Sequence, residues 1–138
     1  MTSDLIPVQA VQQQLALGER PHAPLVLDLR RGSQFRRARI PGSHHMSVAR
    51  LLSGEPPDRD LILVAASNQQ ATTVAEALHA SGFHRRIQQL EGGLEGWRQA
   101  GYAVEGSGGT LQPVLEHLVG ALTLLLPNPR RAWRRRAA

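Results

Sequence analysis

The stretch "LILVAASNQQATTVAEAL", residues 61–78, opens with an apolar run, passes through a short polar segment and ends in a helix-forming pattern. Four consecutive aliphatic residues bounded by small and polar ones read as a buried strand. The segment after them reads as a loop that enters a helix. Strand, loop and helix N-terminus together form the layout on which many α/β enzymes present a nucleophile or hold an anion. Here the loop offers Ala65, Ala66, Ser67, Asn68, Gln69 and Gln70, with no cysteine and no charge.

Outward from this stretch, the same alternation recurs. "PVQAVQQQLALG" carries Val8, Val11, Leu15 and Ala16 close to helical spacing, with Gly18 as a stop. "LVLDLR", residues 25–30, reads as a second buried strand, and "RIQQL", residues 86–90, is expected to form a third. Ser33 is expected to cap a short helix that Pro41-Gly42 ends, and "SVARLL" is expected to form another. "ATTVAEALHASGF" predicts a helix stopped at Gly82, and "GGLEGWRQAG" one stopped at Gly101. Strands alternating with helices at this spacing predict a small α/β domain with a mainly parallel central sheet flanked by helices.

The chain has 138 residues, enough for one core and an appendage. All sixteen basic residues are Arg, and five of them (Arg130, Arg131, Arg134, Arg135 and Arg136) fall within the last nine positions. The other basic residues balance the eleven acidic ones, so the net charge of +5 belongs to the tail. A basic terminal arm without a basic folded face is weak ground for nucleic-acid binding. The absence of cysteine excludes disulfides, thiolate metal sites and a cysteine nucleophile. No basic n-region or long apolar core opens the chain, so no signal peptide is expected and the cytoplasm is the expected compartment.

Three segments carry a family resemblance. "LVLDLRRGSQFRRARIPGSHHM" supplies Asp28, Arg30, Phe35, Ile40, Pro41 and Gly42. "SGFHRRIQQLEGGLEGW" supplies Gly82, Phe83, Leu90, Gly92, Gly93 and Trp97. With the strand-loop-helix between them, they resemble a rhodanese-like domain, the single-domain sulfurtransferase fold, over about residues 5 to 105. Arg39 and Ser43 depart from the family's histidine and alanine in the first signature. The resemblance implies a loop of the form Cys-x-x-Gly-x-Arg-Ser between the two. Anchored on "VAEAL", the cysteine falls on Ala65, the glycine on Asn68, the arginine on Gln70 and the serine on Ala71. The family reaction takes sulfur onto a thiolate as a persulfide, and a methyl group has no lone pair with which to do so.

The expectation is therefore a catalytically inactive rhodanese-like module, used for binding or regulation. The alternative is a sulfurtransferase that relies on a cysteine from a partner. Neither cofactor nor metal is implied. Ala66, Ser67, Asn68, Gln69, Gln70 and Ala71 form the candidate anion-binding loop, supported by Asp28 and Arg30 at the end of the neighbouring strand. Its ligand would be a small anion or a protein partner's carboxylate; the other reading is an ordinary turn without a ligand. Asn68 at the glycine position is expected to tolerate left-handed backbone angles. Neutral Gln70 in place of an arginine costs an anion on the order of 1 kcal/mol. Asp28 and Arg30 also read as an ion pair that anchors neighbouring loops. Ser67 with His44 or His45 would need a nucleophile elbow to act as a hydrolase, and none is present. Gly92 and Gly93 read as a turn, and Trp97 as a core residue.

The domain is expected to span residues 1–105, with a linker at 106–110 and an appendage at 111–138. In the appendage, "PVLEHLVGALTLLL" (113–126) places Leu115, Leu118, Leu122 and Leu125 at helical spacing before Pro127. Such a helix is about 21 Å long, short of the roughly 30 Å hydrocarbon core. It is expected to dock on the domain, to pair with a copy in a homodimer through 113–126, or to lie on a membrane. In the last case Trp133 and the five terminal arginines would reach anionic headgroups.

Overall fold

In the computed structural model, residues 4–107 are described. In chain order they form β1 (Asp4–Ile6), α1 (Val8–Ala16), β2 (Leu25–Asp28), α2 (Gly32–Arg37), β3 (His44–His45), α3 (Val48–Ser53), β4 (Leu61–Val64), α4 (Asn68–Ala80), β5 (Ile87–Leu90) and α5 (Gly93–Gln99). The strands make one sheet in the order β1-β5-β4-β2-β3. Every pairing within it is parallel. The residues read as the appendage's apolar helix and arginine tail lie outside the described residues.

β4 shows how sequence becomes architecture here. Its four residues are all buried, as a central parallel strand covered on both faces requires. Successive side chains point to opposite faces of a strand. Ile62 and Val64 accordingly join Val8, Val11, Ile40 and Trp97 in one core cluster. Leu61 and Leu63 join Leu51, Val74 and Leu78 in the other. α1 and α5 thus cover one face of the sheet, and α3 and α4 the other. Within α4, the buried residues Ala71, Val74, Ala75 and Leu78 fall on one face at intervals of three and four. Each fully buried aliphatic side chain in these layers stabilises the fold by roughly 1.5–3 kcal/mol.

Some elements differ from their sequence-based expectation. β1 and β3 are additional strands, of three and two residues, at the two sheet edges. His44 and His45, considered above as partners of Ser67, form β3 and pair with Leu27 and Asp28. Ser33 does not cap α2; it lies within the helix, and Arg31 occupies the N-cap position. α4 begins at Asn68, three residues earlier than the expected start at Ala71. At the far end, Arg39 bridges Glu105, and the Ser107 N–H donates to the Arg36 carbonyl at 2.9 Å. Backbone contacts with the domain therefore continue through Ser107.

The topology locates a crevice. From β2 the chain passes through α2 to β3 on one side; from the adjacent β4 it passes through α4 to β5 on the other. The connections leaving two neighbouring strands diverge, which opens a gap beyond their carboxyl ends. The loop after Val64 and the Asp28–Arg30 segment both border this gap.

Candidate functional site

The connection from β4 to α4 consists of Ala65, Ala66 and Ser67. Ser67 is the N-cap of α4, and its hydroxyl oxygen accepts from the Gln70 N–H at 3.1 Å. Gln70 folds back in return: its side-chain oxygen accepts from the Ala66 N–H at 2.9 Å. A Ser-x-x-Gln pair thus closes the loop, in a close variant of the reciprocal capping box.

This arrangement changes the meaning of several candidate residues. Asn68 is the first residue of α4, and among the described residues no non-glycine has a positive φ. The left-handed backbone expected of Asn68 is therefore not used. Ala71 lies in the core, with its N–H donating to the Ser67 carbonyl at 3.2 Å. Ala66, Ser67, Asn68 and Gln69 are exposed, and Gln70 is half-buried. Ala65 is half-buried and, like Met46 and Val48, packs against the core under α3 and α4. The Gly92-Gly93 turn backs the loop: a Cβ on Gly93 would lie 3.2 Å from the Ala65 carbonyl oxygen. Between turn and loop is a small hollow of about 180 Å³ that also borders Gln89.

Asp28 and Arg30 form a tight, nearly dry pair. The Asp28 side chain is 1% exposed and that of Arg30 is 10% exposed. Arg30 Nη2 donates to Asp28 Oδ2 at 2.8 Å, while Arg30 Nε lies 3.0 Å from Oδ1. The Arg30 backbone N–H adds a bond to Oδ1 at 2.9 Å. Nη2 also donates to the Ala38 carbonyl, which ties the end of β2 to the end of α2. The anchoring reading of this pair therefore has its geometry, and Arg30 also borders the crevice.

The crevice is a cleft of about 500 Å³ walled by Leu29, Arg31, Gly32, Gln34, His45 and Val48, with Ala66 and Gln70 from the loop. His45 Nε2 sits 2.8 Å from the Arg30 carbonyl oxygen, and its ring packs 5.1 Å from that of Phe35. Ser67 is engaged by Gln70 and His45 by Arg30, and no Ser67–His45 hydrogen bond forms among the described residues. Arg31, Gln34 and Val48 were not candidates in the sequence, because nothing in "RRGSQF" or "SVARLL" marks which side chains meet across the switch point. Gln70's closing role was not among the expectations either; the Ser-x-x-Gln spacing is the signal that carries it.

A rhodanese-like domain matches residues 9–100, and the chain belongs to the rhodanese-like domain family. Among solved structures, it is similar to the rhodanese-like domain of an Anabaena sp. protein, at 25% identity and a TM-score of 0.63 over 82% of this chain and 86% of that one. It is also similar to the BH2092 protein from Bacillus halodurans, at 22% identity and a TM-score of 0.63 over 77% and 79%. A thiosulfate sulfurtransferase from Pseudomonas aeruginosa shares the fold at 22% identity and a TM-score of 0.63, over 75% of this chain and 20% of that enzyme. No curated protein matches the chain significantly. The chain is thus a rhodanese-like α/β domain that contains no cysteine. No helix among the described residues is long and apolar enough to cross a membrane.

Proposed function

We propose that this protein is a catalytically inactive rhodanese-like module that binds or regulates a partner through the cleft beside its cysteine-free loop. The observation that carries the reading is Ala65. It follows β4 at the position where the family resemblance requires a thiolate, and no cysteine exists elsewhere in the chain. The second support is Gln70, whose side chain accepts the Ala66 N–H that an anion in the loop would otherwise take. The N-terminal end of α4, where Asn68 and Gln69 are exposed, would remain a secondary contact for a small anion or a partner's carboxylate.

The 111–138 appendage would localise or dimerise the module, through 113–126 or through Trp133 and the terminal arginines. A liposome sedimentation series with and without residues 111–138 separates surface attachment from docking, and equal partitioning of both forms removes the membrane reading. For the module itself, a thiosulfate:cyanide assay on the pure protein decides. The expected rate is that of buffer. Turnover only in the presence of a cysteine-bearing partner would instead favour the partner-completed sulfurtransferase.

A further inference from the structure

The cleft wall opposite the loop carries several hydrogen-bond donors among apolar surface. Arg31 lines it directly. A Cβ placed on Gly32 would lie 3.1 Å from Arg36 Nη1 and 3.6 Å from His45 Cε1. The Arg36 guanidinium and the His45 imidazole therefore converge on a lining position that carries no side chain. Neither Arg31 nor Arg36 is within ion-pair distance of a carboxylate among the described residues. No lining residue is acidic, and nearby Asp28 is buried and neutralised by Arg30. Two cations without a carboxylate partner among the described residues give this side of the cleft a positive potential.

The amides add direction to that charge. The side-chain oxygen of Gln34 accepts from the Arg31 N–H at 3.2 Å, and that of Gln70 from the Ala66 N–H at 2.9 Å. In both glutamines the side-chain oxygen is engaged by the domain's own backbone, and the NH₂ group is the donor each presents. The polar groups of the cleft therefore favour a ligand that carries negative charge and hydrogen-bond acceptors, although most of the lining surface is apolar. Leu29 and Val48 supply apolar surface between these donors. The volume, about 500 Å³, lies in the range of roughly 300–1,000 Å³ typical of sites for molecules much larger than one tetrahedral anion.

We propose that the cleft binds an extended acidic peptide segment of a partner protein. Its carboxylates pair with Arg31 and Arg36, and its main-chain carbonyls accept from the amides of Gln34 and Gln70. The proposal rests on the binding-module reading above and names the partner's chemistry.

The test is a titration of the ¹⁵N-labelled full chain with an N-acetylated, C-amidated tetraglutamate peptide, followed by amide chemical shifts. The expected perturbations centre on residues 30–36, 45–48 and 66–70. In the double variant Arg31→Gln, Arg36→Gln the affinity falls about tenfold or more, as loss of a charge-assisted bond dictates. Both side chains are exposed, so unchanged resonances elsewhere will verify the fold. Replacing Arg134, Arg135 and Arg136 by Gln leaves the cleft perturbations in place. Perturbations confined to other surfaces, or equal affinity of the double variant, would overturn the proposal. So would the same pattern from inorganic phosphate at equal concentration, which would mark a small-anion site. Sulfur transfer by the pure protein removes the inactive-module reading but leaves the titration result standing. A flat titration without transfer removes the peptide alone.

Discussion

The side-chain oxygen of Gln70 holds the Ala66 N–H at 2.9 Å, while the Ser67 hydroxyl holds the Gln70 N–H at 3.1 Å. The loop is thereby closed by its own helix. In the family it resembles, an arginine at this place would bring positive charge to an anion; here a neutral amide oxygen brings partial negative charge to a backbone donor.

A graded restoration follows from that geometry. Ala65→Cys alone supplies a thiol but leaves Gln70 in the loop, and it is expected to show trace sulfur transfer at most. Adding Gln70→Arg frees the Ala66 amide and adds a charge-assisted contact, and is expected to raise the rate about tenfold, equivalent to roughly 1.4 kcal/mol. Thiosulfate:cyanide kinetics on the two variants check this. Equal rates would mean that Gln70 does not limit the site.

The Asp28–Arg30 pair should dominate the electrostatic contribution to stability. Arg30→Ala leaves a carboxylate that is 1% exposed without its partner, and the expected loss is about 3–5 kcal/mol. Against a total stability of about 5–15 kcal/mol for a typical domain, that is a large fraction. Arg86→Ala is the control: its pair with Asp4 has both side chains more than 60% exposed, and the expected change is within about 1 kcal/mol. Urea denaturation midpoints of the two variants should differ accordingly.

Close backbone contact fixes another position. A Cβ on Gly96 would sit 2.7 Å from the Glu91 carbonyl oxygen, and a backbone atom cannot rotate aside as a side chain can. Gly96→Ala should force α5 away from the end of β5 and cost about 1–3 kcal/mol. Thermal melts would record this, and an unchanged midpoint would show that the turn adapts freely.

One surface pair gives a pH signature. The hydrogen bond from Arg85, and then its charge, hold Asp58 below its ordinary value of 3.8. A carboxylate whose folded pKa is depressed stabilises the fold above its unfolded pKa, and that contribution is lost as pH falls through the folded value. Asp58→Asn should therefore lower stability slightly near neutral pH, and the difference from wild type should close below 3.8. Paired denaturation curves across this window test the sign.

Much of this fold can be read from local pattern, because the central strands are buried on both sides. "LILV" is a continuous apolar run that is wholly buried, and "LVL" before Asp28 is a shorter one that is mostly buried. β1 and β3 escape such reading because two or three residues establish no period, and their identity depends on distant partners: Gln88 to Leu90 for one, Leu27 and Asp28 for the other. The site divides in the same way. Ala65 in the thiolate's place is visible from family spacing, and Gln70's closing contact is implicit in a Ser-x-x-Gln pattern. The meeting of Arg31, Gln34 and His45 with Ala66 across the switch point is set by sheet order, which no local pattern encodes.

The inactive-module reading requires that no residue of this cysteine-free chain hold sulfur as a persulfide. Its most direct measurement is the intact mass of the purified protein after incubation with thiosulfate, without cyanide. An unaltered mass is expected. A stable gain of one sulfur atom, mapped to any residue of the loop, would contradict it.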